Sequence, residues 1–472
     1  MREKRKVSAF AVQVVSRVAA AGFSFVTVTL SARYFGPADY GVIVTALGIT
    51  ALFAAFGDTG INTVTTRRLA QNPGRHDNSL MLSFTLTSLY SVFLAALAAG
   101  TAIVLYGESG VAELVVLLFP FIVLQCSGSG LTPVFQVHNR FGSYALSEVS
   151  AAIVTLATIT VVIGINGSAT AYAVAANLAA LARFLILTTG ATKLVRFRPQ
   201  VDSAYWRLLV RESLPVGASS AIGVVYARLD IIILSLLAPT TQVGLFGVAY
   251  RIVAVLAMLP GLLVTSAFFG LAQAASQPSV MRARSTAMMT TLLRIFLPVC
   301  MLGAVAAPQI VLIVGGSAFE DSALPLRLLF LAILFKAVNT VQGSILTSQH
   351  KQQAVLAMGL SSLAIMTALL VVLVPGRGAA GAALALVVAE LLPLCYMTVR
   401  LSTAISWSAV ARGSVSWALL AAPAACAYLA VVHSSTAFWA VGVAVSVYTA
   451  VCAVHYKRKA HLGKLTQHAR EE

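Results

Sequence analysis

Apolar runs of about 20 residues, parted by short polar or basic turns, recur from one end of this chain to the other. Such a run, wound as a helix at about 1.5 Å per residue, crosses roughly 30 Å of hydrocarbon. The pattern predicts an all-α, polytopic membrane protein with fourteen spans. Their limits are Val7–Leu30, Gly41–Val64, Ser79–Tyr106, Val111–Val134, Val149–Ile165 and Ala169–Gly190, then Leu214–Leu237, Gly244–Gly270, Met288–Gly315, Leu328–Leu346, Ala354–Val374 and Gly378–Thr398. Two more follow at Ser416–Val432 and Thr436–His455.

Composition excludes a set of soluble domains. Apolar residues make up 59% of the chain and charged residues 10%, against about 25% charged in soluble domains. The net charge of +17 would suit a nucleic-acid binder, but its placement argues for topology instead. Of 32 Lys and Arg, 23 fall in segments assigned to one side of the membrane, three on the other and six inside apolar runs. That asymmetry is the positive-inside bias, and it puts both termini in the cytoplasm. No nucleic-acid partner is expected; membrane lipid is. The basic start, MREKRK, resembles a secretory leader, but the run from Val7 to Leu30 is too long for one and holds Arg17, so it reads as the first span.

The halves of the chain repeat. Leu69-Ala70-Gln71 matches Leu271-Ala272-Gln273, Gly41 with Ala46 matches Gly244 with Ala249, and Val161–Ala175 matches Val371–Ala385, all at nearly constant offset. Six spans per copy is an even number, so both copies insert the same way up. The expected architecture is therefore two parallel six-helix repeats plus two extra C-terminal helices. It divides into a first lobe at 1–190, a cytoplasmic amphipathic linker at 191–213, a second lobe at 214–400, helices 13 and 14 at 401–456, and a basic cytoplasmic tail at 457–472.

The chemistry lies in charges that a membrane should reject. Each central Arg, Lys or Asp costs about 2.5–3.5 kcal/mol on insertion scales. Arg17 sits roughly 15 Å into the first span, Arg228 near the middle of the seventh, and Arg251 and Lys336 within the eighth and tenth. Three carboxylates, Asp58, Asp230 and Glu390, are the partners considered, which leaves a cationic excess. Pairing with these acids is one reading of the four cations; lining a cavity that grips phosphate is the other, since guanidinium binds phosphate oxygens two at a time and keeps its charge when dehydrated. The carboxylates themselves are read as structural or as coupling groups. Arg183 and Arg294 lie close enough to the cytoplasmic side to snorkel. Pro120, Pro260-Gly261 and Pro298 mark kinks or hinges.

Other chemistry is sparse. Seven histidines show no metal-ligand spacing, no nucleotide-binding loop is present, and Cys126, Cys300, Cys395, Cys426 and Cys452 form no CxxC pair. No cofactor and no catalytic residue are expected. A proton or sodium gradient is the candidate source of drive.

Against this background the motifs resemble a known family. Gly36, Pro37, Tyr40 and Gly41 form a Gly-Pro-x-x-Tyr-Gly turn after the first span, and Asp58 with Gly60 an Asp-x-Gly element in the second. Tyr226 to Pro260 carries an Arg-x-Asp pair and an Ala-Tyr-Arg sequence, and Gly378–Ala385 a Gly-rich turn. Spans one to twelve thus resemble the polysaccharide transporters, the Wzx-type lipid-linked oligosaccharide flippases of the multidrug, oligosaccharidyl-lipid and polysaccharide exporter superfamily. The resemblance implies two six-helix lobes that open alternately to either side of a bacterial cytoplasmic membrane. It implies a substrate of oligosaccharide on undecaprenyl pyrophosphate, for O-antigen or exopolysaccharide, and a polysaccharide polymerase and chain-length machinery as partners. A peptidoglycan-precursor flippase is the alternative. A cation-coupled drug exporter would be expected to carry an acid in the first span, which this chain lacks. A polymerase would need a large outer loop, and the longest outer connection is about a dozen residues.

Overall fold

Glycine and proline, rather than long loops, divide these apolar runs. The computed structural model describes residues 2–414 apart from 58–59, 72–75, 139, 141, 197 and 199. Asp58, the two C-terminal spans and the basic tail lie outside the described residues. Within them the chain is helical, with no strand.

The first helix, α1 (Arg2–Phe56), joins the first two spans through a break at Gly36, whose φ of 70° favours glycine because a Cβ is poorly tolerated there. Pro37 follows and starts the second arm. After α2 (Ile61–Gln71) and α3 (His76–Tyr106), the fourth span is in pieces: α4 (Gly110–Leu117), α5 (Phe119–Ser129) and α6 (Thr132–Val137). Pro120 at the start of α5 forfeits a backbone donor, and the span bends by 43° at that break. The pair α7 (Gly142–Gly164) and α8 (Ala169–Thr192) is joined by a tight turn in which Asn166 takes a positive φ of 54°.

Next come α9 (Ser203–Tyr226) and α10 (Leu229–Leu237), then α11 (Thr240–Leu256) and α12 (Leu259–Ala274), separated just before Pro260. The remaining helices are α13 (Pro278–Val305), α14 (Ala307–Gly315), a 3₁₀ turn over Ser317–Ser322, α15 (Ala323–Ser348) and α16 (Gln352–Arg400). Pro298 lies inside α13 without dividing it. A second left-handed glycine, Gly378 with φ of 50°, breaks α16. Eight helical stretches among the described residues are long and apolar enough to cross a membrane, or nine if the bent pair at Leu118 is one span.

The chain forms two compact units. One is Met1–Arg251 with Thr367–Ala379, the other Ile252–Met366 with Ala380–Glu472. In the first, Ile43, Ala46 and Ile49 of α1 pack with Ala95, Ala98 and Ala102 of α3, and with Leu114, Ile122, Ala173 and Ala176. Alanine dominates these contacts because hydrocarbon supplies no hydrophobic drive between helices; close approach of backbones does that work. A second cluster gathers Leu69, Leu80, Phe84, Leu131, Phe135 and Leu187. The N-terminal turns of α9 dock beside α2 through Leu209, which packs with Ile61 and Val64. The amphipathic part of the expected linker is thus continuous with the start of the run expected as the seventh span, since α9 runs from Ser203 to Tyr226 with Pro215 inside it. In the second unit α13 packs on α15, with Gly303 against the Phe330 ring. The outward faces of many helices remain apolar, as with Phe93, Val104, Phe269 and Val372, which is the pattern of a surface meant for lipid.

Candidate substrate site

The apolar run expected as the seventh span, Leu214–Leu237, falls on two helices, α9 and α10. The chain leaves the α-helical region at Arg228, with φ −134° and ψ −14°, and α10 begins at the next residue. A break inside an apolar run frees backbone groups, and the new helix start carries partial positive charge. Arg228 is half-buried at that start. Two residues on, Asp230 is buried, and its Oδ1 accepts the Ile231 N–H at 2.8 Å. Asp230 therefore satisfies one of the donors the break exposes, which is a structural duty at a helix start. No Gly or Pro announces this break; the Arg-x-Asp pair inside an apolar run is its one trace in the sequence.

The other predicted residues distribute as follows. Arg17 is exposed on α1 beside the buried Ser16. Arg251 is exposed near the end of α11. These three arginines belong to the first unit. Lys336 is half-buried on α15 and Glu390 is buried on α16, both in the second unit. Glu390 is held by Asn339, whose Nδ2 donates at 2.8 Å to its Oε2 and at 2.8 Å to its main-chain oxygen. One turn further on, Gln342 Nε2 donates to Thr398 Oγ1 at 3.0 Å.

Several participants are not evident from the sequence. Arg183 has a partner: its Nη2 pairs with Glu148 Oε1 at 2.7 Å, and its guanidinium lies 6.0 Å from the centre of the Tyr144 ring. Glu148 does not stand out as a partner because it sits at the very edge of the fifth run. At the C-terminal end of α2, Arg67 and Arg68 converge on Glu212 of α9. Residues 67 and 212 are too far apart in sequence for spacing to relate them. No group of three or more potential metal-ligating side chains occurs among the described residues.

The helical architecture is that of a multi-pass membrane protein. The fold is similar to that of a lipid II flippase, MurJ, in an inward closed conformation, with a TM-score of 0.78, 13% identity, and coverage of 96% of this chain and 100% of that one. A multidrug-resistance MATE transporter of the MOP superfamily, facing inward, gives a TM-score of 0.64 at 13% identity over 81% of this chain and 94% of its own. The MATE multidrug transporter DinF-BH gives 0.58 at 18% identity over 84% and 95%. No curated protein matches the sequence. The model of a family described as polysaccharide biosynthesis protein matches residues 7–271, more than half of the chain. The chain belongs to that family.

Proposed function

We propose that this protein is a flippase that moves undecaprenyl-pyrophosphate-linked oligosaccharide repeat units from the inner to the outer leaflet of a bacterial cytoplasmic membrane by alternating access. Fourteen spans in two parallel six-helix repeats plus two, with both termini in the cytoplasm, are part of the same reading. Family membership and the transporter fold point to movement of a substrate rather than to catalysis. The observation that carries the reading is the break in the seventh span at Arg228. Discontinuous membrane helices aim their N-terminal ends at anionic groups of substrates, and here the residue at that end is itself a guanidinium. In the proposed site Arg17 and Arg228, on the first helix of each repeat, grip the pyrophosphate, while Arg251 and Lys336 add positive charge along its path. Asp230 and Glu390 hold helices in place.

Transport of lipid-linked sugar in vesicles tests this. Loss of a charge-assisted bond of about 1.5–3 kcal/mol predicts that Arg228→Ala abolishes transport at normal insertion. Arg228→Lys retains part of it, because charge survives while the planar fork is lost. Arg17→Ala is expected to behave as Arg228→Ala does. Wild-type flipping by well-inserted Arg17→Ala and Arg228→Ala proteins would return both residues to a structural role.

A second reading, a flippase for a peptidoglycan lipid precursor, is favoured by the likeness in fold to the lipid II flippase. Both substrates carry a pyrophosphate, so the arginines serve either. Competition between the two lipid-linked sugars in the same vesicles separates them.

A further inference from the structure

Arg67 and Arg68 stand at the end of α2, opposite Glu212 in the first turns of α9. Arg68 holds the carboxylate with both prongs of its guanidinium: Nη2 lies 2.7 Å from Oε1 and Nε 3.1 Å from Oε2. Arg67 Nη2 shares Oε2 at 3.3 Å. The Arg68 guanidinium lies 5.5 Å from the centre of the Tyr205 ring. The α9 arm beneath is fixed separately, by Trp206 Nε1 donating to the Leu82 carbonyl at 2.9 Å and by Leu209 in its apolar cluster. Asp202 takes no part, since its Oδ1 caps α9 by accepting the N–H groups of Ala204 and Tyr205. Arg207 and Arg211 on the same turns are exposed and add positive charge.

We infer that Arg67 and Arg68 form an entry site for the pyrophosphate headgroup of the lipid-linked substrate at the inner membrane surface, in which Glu212 stands in for the phosphate until the substrate arrives. The inference rests on the flippase reading and on the charge-derived topology. A carboxylate and a phosphate present the same pair of oxygens to a guanidinium fork. One carboxylate neutralises one of two arginines; a pyrophosphate diester carries two negative charges and neutralises both. The side chains of Arg67, Arg68 and Glu212 are 56%, 19% and 34% exposed, so an anion reaches the fork without unfolding. Ion pairs so open to solvent are weak, because water screens the attraction and ordering two long side chains offsets it. Glu212 is therefore displaceable. Its displacement removes one of the ties between α2 and the α9 arm, which makes occupancy of the site a signal to α9, the helix that leads into the break at Arg228.

Binding of farnesyl pyrophosphate to the purified full-length protein tests the assignment, with farnesol and inorganic pyrophosphate as comparison ligands. The titrations are run in an Arg17→Ala/Arg228→Ala background so that the proposed cavity grip does not contribute. Glu212→Gln removes the internal competitor and is expected to tighten binding, by up to about fivefold for a solvent-open pair. The double variant Arg67→Gln/Arg68→Gln is expected to weaken it roughly tenfold or more, as charged bonds are lost. Arg67→Lys/Arg68→Lys is read in its place if the Gln pair does not fold, with a smaller loss expected. Weaker or unchanged binding in Glu212→Gln, or unchanged binding in the arginine double variants, overturns the proposal. Inorganic pyrophosphate binding as well as the farnesyl form overturns the lipid assignment. Transport lost in Arg228→Ala but retained in the double variant, with its farnesyl pyrophosphate binding intact, leaves the flippase standing without this entry site. Absence of any lipid-linked sugar transport by wild-type protein, with the expected binding pattern, does the reverse.

Discussion

Asn339 gives both hydrogens of its side-chain amide to one residue, Glu390, at 2.8 Å to Oε2 and 2.8 Å to the main-chain oxygen. Two acceptors fix which branch of the amide is nitrogen. The opposite branch, Oδ1, is buried with no hydrogen-bond partner among the described residues. Asn339→Leu removes the donor and leaves a buried carboxylate short of a bond, a loss of about 1–3 kcal/mol or more. The expected outcome is a melting temperature lowered by several degrees in purified protein. Glu390→Gln, which retains the main-chain bond, is expected to be milder. A Glu390→Gln protein with unchanged melting but lost dependence on a proton or sodium gradient would make Glu390 a coupling group.

Gly41 and Gly244 let two backbones touch. A Cβ on Gly41 would overlap the Thr240 carbonyl, and one on Gly244 would overlap the Pro37 carbonyl. Backbone cannot retreat as a side-chain end can, so Gly244→Val is expected to cost on the order of 2–3 kcal/mol or more. Yield and thermal stability of the purified variant measure this. Gly100→Ala is the contrast: nothing lies within 4 Å of its Cβ position on α3. That change should be neutral or stabilise by up to roughly 1 kcal/mol through helix propensity.

Docking of the α9 arm should depend on pH through Glu212. Its hydrogen bond from Arg68, reinforced by the charges of both arginines, holds the carboxyl below the usual glutamate range. A group whose folded value is depressed contributes stability that is present above its unfolded value and lost as pH falls through the folded one. Docking is therefore expected to be constant from neutral pH to about 5 and to weaken below about 4. Trp206 fluorescence or protease access to the Ala191–Asp202 connection would follow it. Glu212→Gln should remove this acid dependence, and an unchanged profile would assign the transition elsewhere.

Charge asymmetry sets a topological expectation. A reporter fused after Glu472 should report cytoplasm, and one inserted at Gly107–Gly110 should report the opposite side. The reverse pattern would remove the fourteen-span reading and, with it, the inner position assigned to Arg67, Arg68 and Glu212.

Much of this was determined by the sequence alone. Runs of apolar residues of spanning length required helices, because in hydrocarbon each segment must satisfy its own backbone. Gly36 and Gly378 marked breaks that composition made visible, and the motifs around Gly36 and Tyr226–Pro260 led to the family. The buried state of Asp230 and Glu390 also followed from position within apolar runs. What spacing could not reveal was which side chains meet. The interruption of the Leu214–Leu237 run at Arg228, the hold of Asn339 on Glu390, the pairing of Arg183 with Glu148 and the fork of Arg67 and Arg68 on Glu212 join residues on different helices or arise without Gly or Pro. In a membrane helix every face reads as apolar, so periodicity does not distinguish the side toward lipid from the side toward a neighbour. The packing of backbones at small residues makes that choice, and it is a tertiary choice: it depends on which helices come close enough for an amide, a guanidinium or a carbonyl to be satisfied across the gap.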